Sequence, residues 1–359
     1  MPKTTFVIAE AGVNHNGDPD LAFKLIDAAI SSGANAVKFQ TFKAENLVTS
    51  SAEKANYQKV NTDCTESQLQ MLKRLELPLK SQIEMAIYCR EQGIQFLSTA
   101  FDFESLSFLV DEIGVEILKI PSGELTNGPF ILAHAHTERD IILSTGMANL
   151  DEIRTALSVL AFGYMKGTSP TQTLLNDALI SEEGRQLLRD KVKLLHCTTE
   201  YPAPMIDINL RAMDTMEQEF GLPIGYSDHS EGIAIPIAAV ALGAEIIEKH
   251  FTLDRNLPGP DHKASLEPKE LKDMVRAIRD VEVSLGDGNK MPRAGELTNR
   301  DVVRKSIVAK QPIKKKEPFT EQNIVTKRPG TGMSPMQYWS ILGVPSNRDY
   351  EVDDQIEVD

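Results

Sequence analysis

Cysteine is scarce in this chain and forms no pattern. Cys64, Cys89 and Cys197 are odd in number, widely spaced and without a CxxC pair, which excludes a disulfide framework and points to a reducing compartment. Long apolar runs are missing as well: no stretch approaches the roughly 20 residues needed to cross a bilayer. The opening MPKTTFVIAEAG moves straight into strand-like sequence with no apolar leader and small-residue cleavage site, so a cytoplasmic protein with no membrane partner is expected. Positive charge is in deficit, with 38 Lys and Arg against 52 Asp and Glu and a net charge of −14. That balance excludes attraction of nucleic acid or an anionic membrane by bulk charge. An anionic substrate would have to be held by a few placed cations.

What is present is an ordinary globular composition, 41% hydrophobic and 25% charged over 359 residues, enough for a sizeable core. Eight short runs rich in β-branched or apolar residues recur: FVIAEAG (6–12), AVKFQTF (36–42), QFLSTAF (95–101), EILKIPSGE (116–124), DIILSTG (140–146), KLLHCTTE (193–200), PIGYSDHS (223–230) and EIIEKHFT (245–252). Most are separated by helical spacing, as in DPDLAFKLIDAAISSG, where Asp18 and Pro19 start a helix and Gly33 stops it. Strand and helix in alternation predict a parallel sheet. Eight repeats, with no Gly-rich dinucleotide fingerprint after the first, favour a closed (β/α)8 TIM barrel over an open sheet. The barrel is expected over 1–286, a polar linker over 287–302 and a small β-rich unit over 303–359. About fifty residues is marginal for an independent core, so that unit should dock on something. Residues 44–80 are too long for a simple connection and read as a rim element carrying Tyr57, Gln58 and Gln68.

Active sites of such barrels lie at the C-terminal strand ends, and nearly every run here ends in polar residues. These include Glu10, Asn14 and His15; Lys38 and Gln40; Ser98 and Thr99; Lys119, Ser122 and Glu124; Ser144; His196, Thr199 and Tyr201; Ser227, Asp228 and His229; and His250. His229 and His250 end consecutive runs, so neighbouring parallel strands, about 4.8 Å apart, would bring two imidazoles to one divalent cation such as Mn2+ or Zn2+. His15 and, more weakly, His262 are further candidates at the mouth, whereas His134 and His136 read as packing or surface residues. A lysine inside an apolar strand is costly unless paired with an anion. Lys38 and Lys119, with Ser122, Ser144 and Ser227, therefore form a candidate cradle for phosphate and carboxylate. Either lysine could instead form a Schiff base with a carbonyl substrate. A sugar- or phosphate-binding module is the non-enzymatic alternative. The Lys314–Lys316 run reads as a solvated turn.

AEAGVNHNGD, AVKFQTF, KIPSGE, ILSTGM, LHCTTEYPAP, GYSDHS, EKHFTLD, GPDHKASLEP and KRPGTG, in this order, resemble the N-acetylneuraminate (sialic acid) synthase family along almost the whole chain. The tail resembles that family's SAF, or antifreeze-like, domain. The resemblance implies a C–C bond-forming transferase that condenses phosphoenolpyruvate with an N-acetylated hexosamine. It implies a divalent metal, Mn2+ first and Mg2+ or Co2+ as alternatives, on His229 and His250. Phosphoenolpyruvate would meet Lys38, Lys119, Ser122, Ser144, Thr199 and Ser227, and the sugar Gln40, Thr99, Tyr201, Asp261 and Arg328. Bacterial relatives carry Asn where this chain has Thr199. Glu10 and Glu124 are the carboxylates expected to manage protons, beside the catalytic Lys38 and Lys119. A domain-swapped homodimer, in which Arg328 completes the partner's site, is also implied. For the sugar, N-acetylmannosamine, giving N-acetylneuraminate, stands ahead of a 6-deoxy diacetamido hexose, giving legionaminate.

Overall fold

The computed structural model describes residues 4–62 and 66–357. Two compact units divide the chain, Met1–Gly286 and Asp287–Asp359. In the first, β1 (Phe6–Gly12), β2 (Ala36–Thr41), β3 (Gln95–Ala100), β4 (Ile117–Ile120), β5 (Asp140–Ser144), β6 (Val192–Cys197), β7 (Ile224–Asp228) and β8 (Ile246–His250) close in that order into a parallel barrel. The β8–β1 pairing, Phe6 to Ile246 through Glu10 to His250, completes the ring. Closure leaves no strand edge exposed in it.

The two-residue period of a strand decides what each side chain faces. Ile8, Ala36, Leu97, Ile142, Leu195 and Ile246 point inward and cluster, with Ile117 against them, as an apolar plug. Gly225 belongs to the same level, where a Cβ would stand 2.6 Å from both the Ile246 carbonyl and Leu195 Cδ2. The intervening residues, such as Val7, Val37, Leu118, Ile141, Leu194 and Ile247, face outward into the core shared with the helices. Helix α1 (Pro19–Ser32) begins at Asp18, whose side chain accepts from Asp20 N, and ends at Gly33 with φ of 78°, the left-handed geometry in which glycine is least strained.

The rim segment contains α2 (Ala44–Leu47), α3 (Asn56–Asn61) and α4 (Gln68–Leu75). Cys64 and the side chain of Tyr57 lie outside the described residues. The second unit pairs β9 (Ser306–Ala309) antiparallel to β10 (Ile324–Lys327). Its own core holds Ile307, Ile313, Phe319, Ile324, Tyr350 and Ile356. The segment expected to be linker is partly ordered, since residues Ala294–Val303 form a helix with no buried residue. A capping arrangement between Arg293 and Glu296 starts it. Among the described residues no helix is long and apolar enough to cross a membrane.

Candidate active site

Two residues beyond the apolar plug, the same inward period delivers Glu10, Lys38, Thr99, Lys119, Ser144, Cys197, Ser227 and Glu248, one from each strand. All of them line a single cavity of about 350 Å³. Glu248 is its electrostatic centre. Lys119 Nζ donates to Glu248 Oε1 and Oε2 at 2.9 and 3.1 Å, Ser227 Oγ donates to Oε1 at 2.9 Å, and Lys38 Nζ stands 3.7 Å from Oε2. Lys38 also lies 2.6 Å from Glu10 Oε2 and donates to Thr99 Oγ1 at 3.1 Å. Two ammonium groups thus face two carboxylates. Burial would raise Glu248, but the two lysines and Ser227 outweigh it and hold the carboxyl well below the usual range. Glu10 behaves in the opposite way: burial, reinforced by the Glu248 charge, pushes it up to about 7 against the pull of Lys38.

One further step outward stand Gln40, Phe101, Thr199, His229 and His250, again lining the cavity. The imidazole centroids of His229 and His250 are 5.5 Å apart, and Tyr201 packs against both at 4.0 and 5.6 Å. His229 Nδ1 is 2.7 Å from the Thr198 carbonyl, which orients the ring with Nε2 free of that contact, an arrangement common among metal-bound histidines. Nδ1 of His250 is buried with no hydrogen-bond partner among the described residues. Burial holds this imidazole well below its ordinary range, in the neutral form a metal requires. Burial would also lower His229, but Cys197 and the Thr198 carbonyl outweigh it and hold that imidazole above its ordinary range, so the donor set offers a divalent ion two nitrogens, one of which must release a proton on binding. Among the described residues no group of three or more His, Cys, Asp or Glu could hold a metal, so substrate and water would fill the remaining positions.

The other expected residues gather around these two layers. Ser122 Oγ accepts from Gly146 N at 3.0 Å, and the buried Ser144 hydroxyl has no partner among the described residues. A Cβ on Gly146 would stand 2.1 Å from Thr199 Oγ1 and 2.8 Å from Ser122 Oγ, so a glycine is needed for these hydroxyls to converge. Asp261 also lines the cavity, and burial pushes its carboxyl up to about 6. Glu124 sits on the rim and accepts from Asn127 Nδ2 at 2.7 Å.

Several expectations fail for one reason, the strand period. Ser98, His196 and Asp228 face away from the cavity: Ser98 bonds Thr41 at 2.7 Å, and His196 Nε2 reaches the Ile208 carbonyl at 2.7 Å. His15 is 1% exposed and accepts from Gly17 N, so it shapes its loop rather than the cavity. His262 is engaged by Thr252 at 2.7 Å and Asn16 at 3.3 Å. His134, on a helix as expected, is fully buried against Phe130. Arg328 belongs to the second unit, where it is exposed and its Nε donates to the Val303 carbonyl. The lysine run there is solvated, with Lys314 pairing Asp349 at the surface. Glu248 was missed, although its place two residues before His250 gives it the same facing. Cys197 was missed as well; it is a buried free thiol 3.7 Å from His229 Nδ1.

The outward Asp228 has a structural task. It forms a fully buried pair with Lys249 at 2.6 Å and accepts from Ser230 N, while Lys249 also bonds the Ser230 carbonyl. These contacts brace the strand ends beside His229 and His250. Lys249→Met strands a buried carboxylate and should lower stability by about 3–5 kcal/mol. An unchanged urea midpoint would refute this account.

A protein-family model described as the NeuB family matches residues 25–290. N,N'-diacetyllegionaminic acid synthase of Campylobacter jejuni is 50% identical over 354 residues, covering 99% of each chain. The Legionella pneumophila protein of that name is 46% identical, covering 95% of this chain and 90% of its own. The crystal structure of a Leptospira borgpetersenii N-acetylneuraminic acid synthetase, in complex with citrate, superposes with a TM-score of 0.67 at 38% identity, over 82% of this chain and 90% of that one. With a family model spanning most of the barrel and such identities running nearly end to end, this chain belongs to the NeuB family.

Proposed function

We propose that this chain condenses phosphoenolpyruvate with the open-chain aldehyde of a 6-deoxy diacetamido hexose and water, yielding N,N'-diacetyllegionaminate and phosphate. The observation that carries the chemistry is the stacking of a two-lysine floor beneath a histidine pair. An anion below and a carbonyl oxygen above bring C3 of phosphoenolpyruvate to C1 of the sugar. The sequence alone placed N-acetylmannosamine first. That order is reversed, because the relatives at 50% and 46% identity are legionaminic acid synthases, whereas the sialic acid enzyme of known structure stands at 38%.

In this reading Lys38 and Lys119 neutralise the phosphate and carboxylate, with hydroxyls from Ser122, Ser144, Thr199 and Ser227 around them. Gln40, Thr99, Tyr201 and Asp261 orient the sugar. A divalent cation on His229 and His250, Mn2+ first with Mg2+ or Co2+ as alternatives, supplies Lewis acidity to the aldehyde oxygen. The new C–C bond forms as the phosphoenolpyruvate double bond gives up its electrons. Water then adds at C2; one of its protons goes to the former aldehyde oxygen and the other leaves with phosphate, which departs with the bridging oxygen as C2 becomes a carbonyl. Glu10 is the group suited to take and return a proton, since its affinity lies near neutrality. Glu124 is on the rim and hydrogen-bonded to Asn127. A Schiff-base role is less well supported, because both ammonium groups are already engaged by carboxylates; borohydride trapping with the sugar should yield no adduct.

The test is product analysis by mass spectrometry, with phosphate release, for phosphoenolpyruvate and each sugar. Legionaminate should form faster, with one phosphate per product. Faster turnover of N-acetylmannosamine would overturn the sugar assignment, and no consumption of phosphoenolpyruvate with either would overturn the reaction class.

The same reading treats the second unit as an SAF domain that lends Arg328 to the partner's site in a domain-swapped homodimer. Its support is the exposure of an always-charged, five-donor side chain far along the chain from the barrel. Mixing inactive His229→Ala with inactive Arg328→Ala protein should restore activity after subunit exchange, up to one working site per hybrid dimer. No recovery, with exchange confirmed, would confine Arg328 to its own chain.

A further inference from the structure

The cavity has one wall that neither the lysines nor the histidines explain. Leu47 and Val48, at the end of α2, and Leu72 of α4 are half-buried and line it, beside two amides of the same rim segment, Gln68 and Gln58, the latter accepting from Ala55 N at 3.0 Å. Met71 and Leu75, each 1% exposed, line the cavity with them and pack with Val13 and Phe42 in a cluster separate from the barrel core. The strip is therefore backed by close-packed side chains and cannot simply fold away from a ligand. An anion has no use for such a surface, and the reacting aldehyde must lie deeper, between floor and imidazoles. The sugar's length then runs outward, and its C4–C6 end is the part that reaches the rim.

We infer that Leu47, Val48 and Leu72 form a specificity strip that takes the C6 methyl and C4 acetamido methyl of the sugar and disfavours a hexosamine with hydroxyls at both carbons. The inference rests on the reaction proposed above and assigns a task to the rim insertion. A hydroxyl turned toward these side chains would give up water and find neither donor nor acceptor on them, whereas a methyl gains burial there. One such difference in an apolar pocket is worth about 10- to 100-fold in kcat/KM.

The test measures kcat/KM for the 6-deoxy diacetamido hexose and for N-acetylmannosamine, at saturating phosphoenolpyruvate, in wild type, Leu72→Gln, Val48→Ser and the volume-conserving Leu72→Met. The wild type should favour the deoxy sugar by at least about tenfold. Leu72→Gln and Val48→Ser should each shrink that ratio several-fold through the KM of the deoxy sugar, with the KM of phosphoenolpyruvate unmoved, while Leu72→Met keeps it. Thermal melts of all variants identify any that misfold, and either polar substitution suffices alone. A wild-type preference for the deoxy sugar that survives both polar substitutions overturns the strip and leaves the proposed reaction standing. Equal or faster use of N-acetylmannosamine by the wild type overturns the sugar assignment and the strip with it.

Discussion

Replacing His229 or His250 with Ala should remove turnover and weaken Mn2+ binding while leaving the barrel folded. Each imidazole sits in the outermost inward layer, above the apolar plug, so its loss opens space at the cavity rather than in the core. Polarisation of a carbonyl by a bound cation is worth several kcal/mol of transition-state stabilisation. A rate loss on the order of 10³-fold or more is therefore expected. Titration of the metal-free protein with Mn2+, followed by calorimetry or by the signal of free Mn2+, reads binding without reference to activity. Circular dichroism and urea midpoints read the fold. Full turnover by the double variant after metal stripping would sink the assignment.

Lys119→Ala should cost about 2–5 kcal/mol in the use of phosphoenolpyruvate, roughly 30- to 5000-fold in its kcat/KM. Two effects contribute and can be separated. The substitution removes a cation from a desolvated anion site, and it also takes from Glu248, which is 4% exposed, its closest charged partner, leaving it only Lys38 at 3.7 Å and the Ser227 hydroxyl. Breaking a buried pair from one side destabilises the fold by about 3–5 kcal/mol. Adding Glu248→Gln to Lys119→Ala should recover part of the lost stability, because the carboxylate left with the weaker Lys38 contact is removed while Lys38 keeps Glu10. It should not recover phosphoenolpyruvate use, because the cation is still missing. Lys38→Ala should behave in the same direction, with Glu10 as the second carboxylate affected. A rise confined to the sugar KM, with phosphoenolpyruvate kinetics untouched, would contradict the anion cradle.

The barrel was legible because its signal is local and repeated. A run such as FVIAEAG or DIILSTG states strand by composition, and the observed β1 and β5 begin where those runs begin. The histidine pair and the lysine pair were legible because imidazoles at consecutive strand ends, and ammonium groups inside apolar strands, are chemically odd in any fold. Facing was harder. Asp228 and His229 are adjacent, yet one braces the outside of the barrel and the other lines the cavity, and only the inward register of the plug residues distinguishes them. Glu248 escaped notice because a glutamate in EIIEKHFT resembles a solvated strand residue until the ring closes and places it between two lysines.

By itself the sequence determined the eightfold alternation, the extra unit after the barrel, and the residue types able to hold an anion and a cation at strand ends. These depend on propensity, period and charge, which are properties of neighbours in the chain. Only the tertiary structure decided that Glu248 centres the floor, that His15 and His262 are committed to loop contacts, and that Leu47, Val48 and Leu72 form a wall. Such relations join residues as distant as Lys38 and Glu248, and the physical reason is ring closure: it sets which side chains meet across the barrel, and the balance of burial against the facing lysines then sets whether a carboxyl such as Glu10 or Glu248 holds or loses its proton.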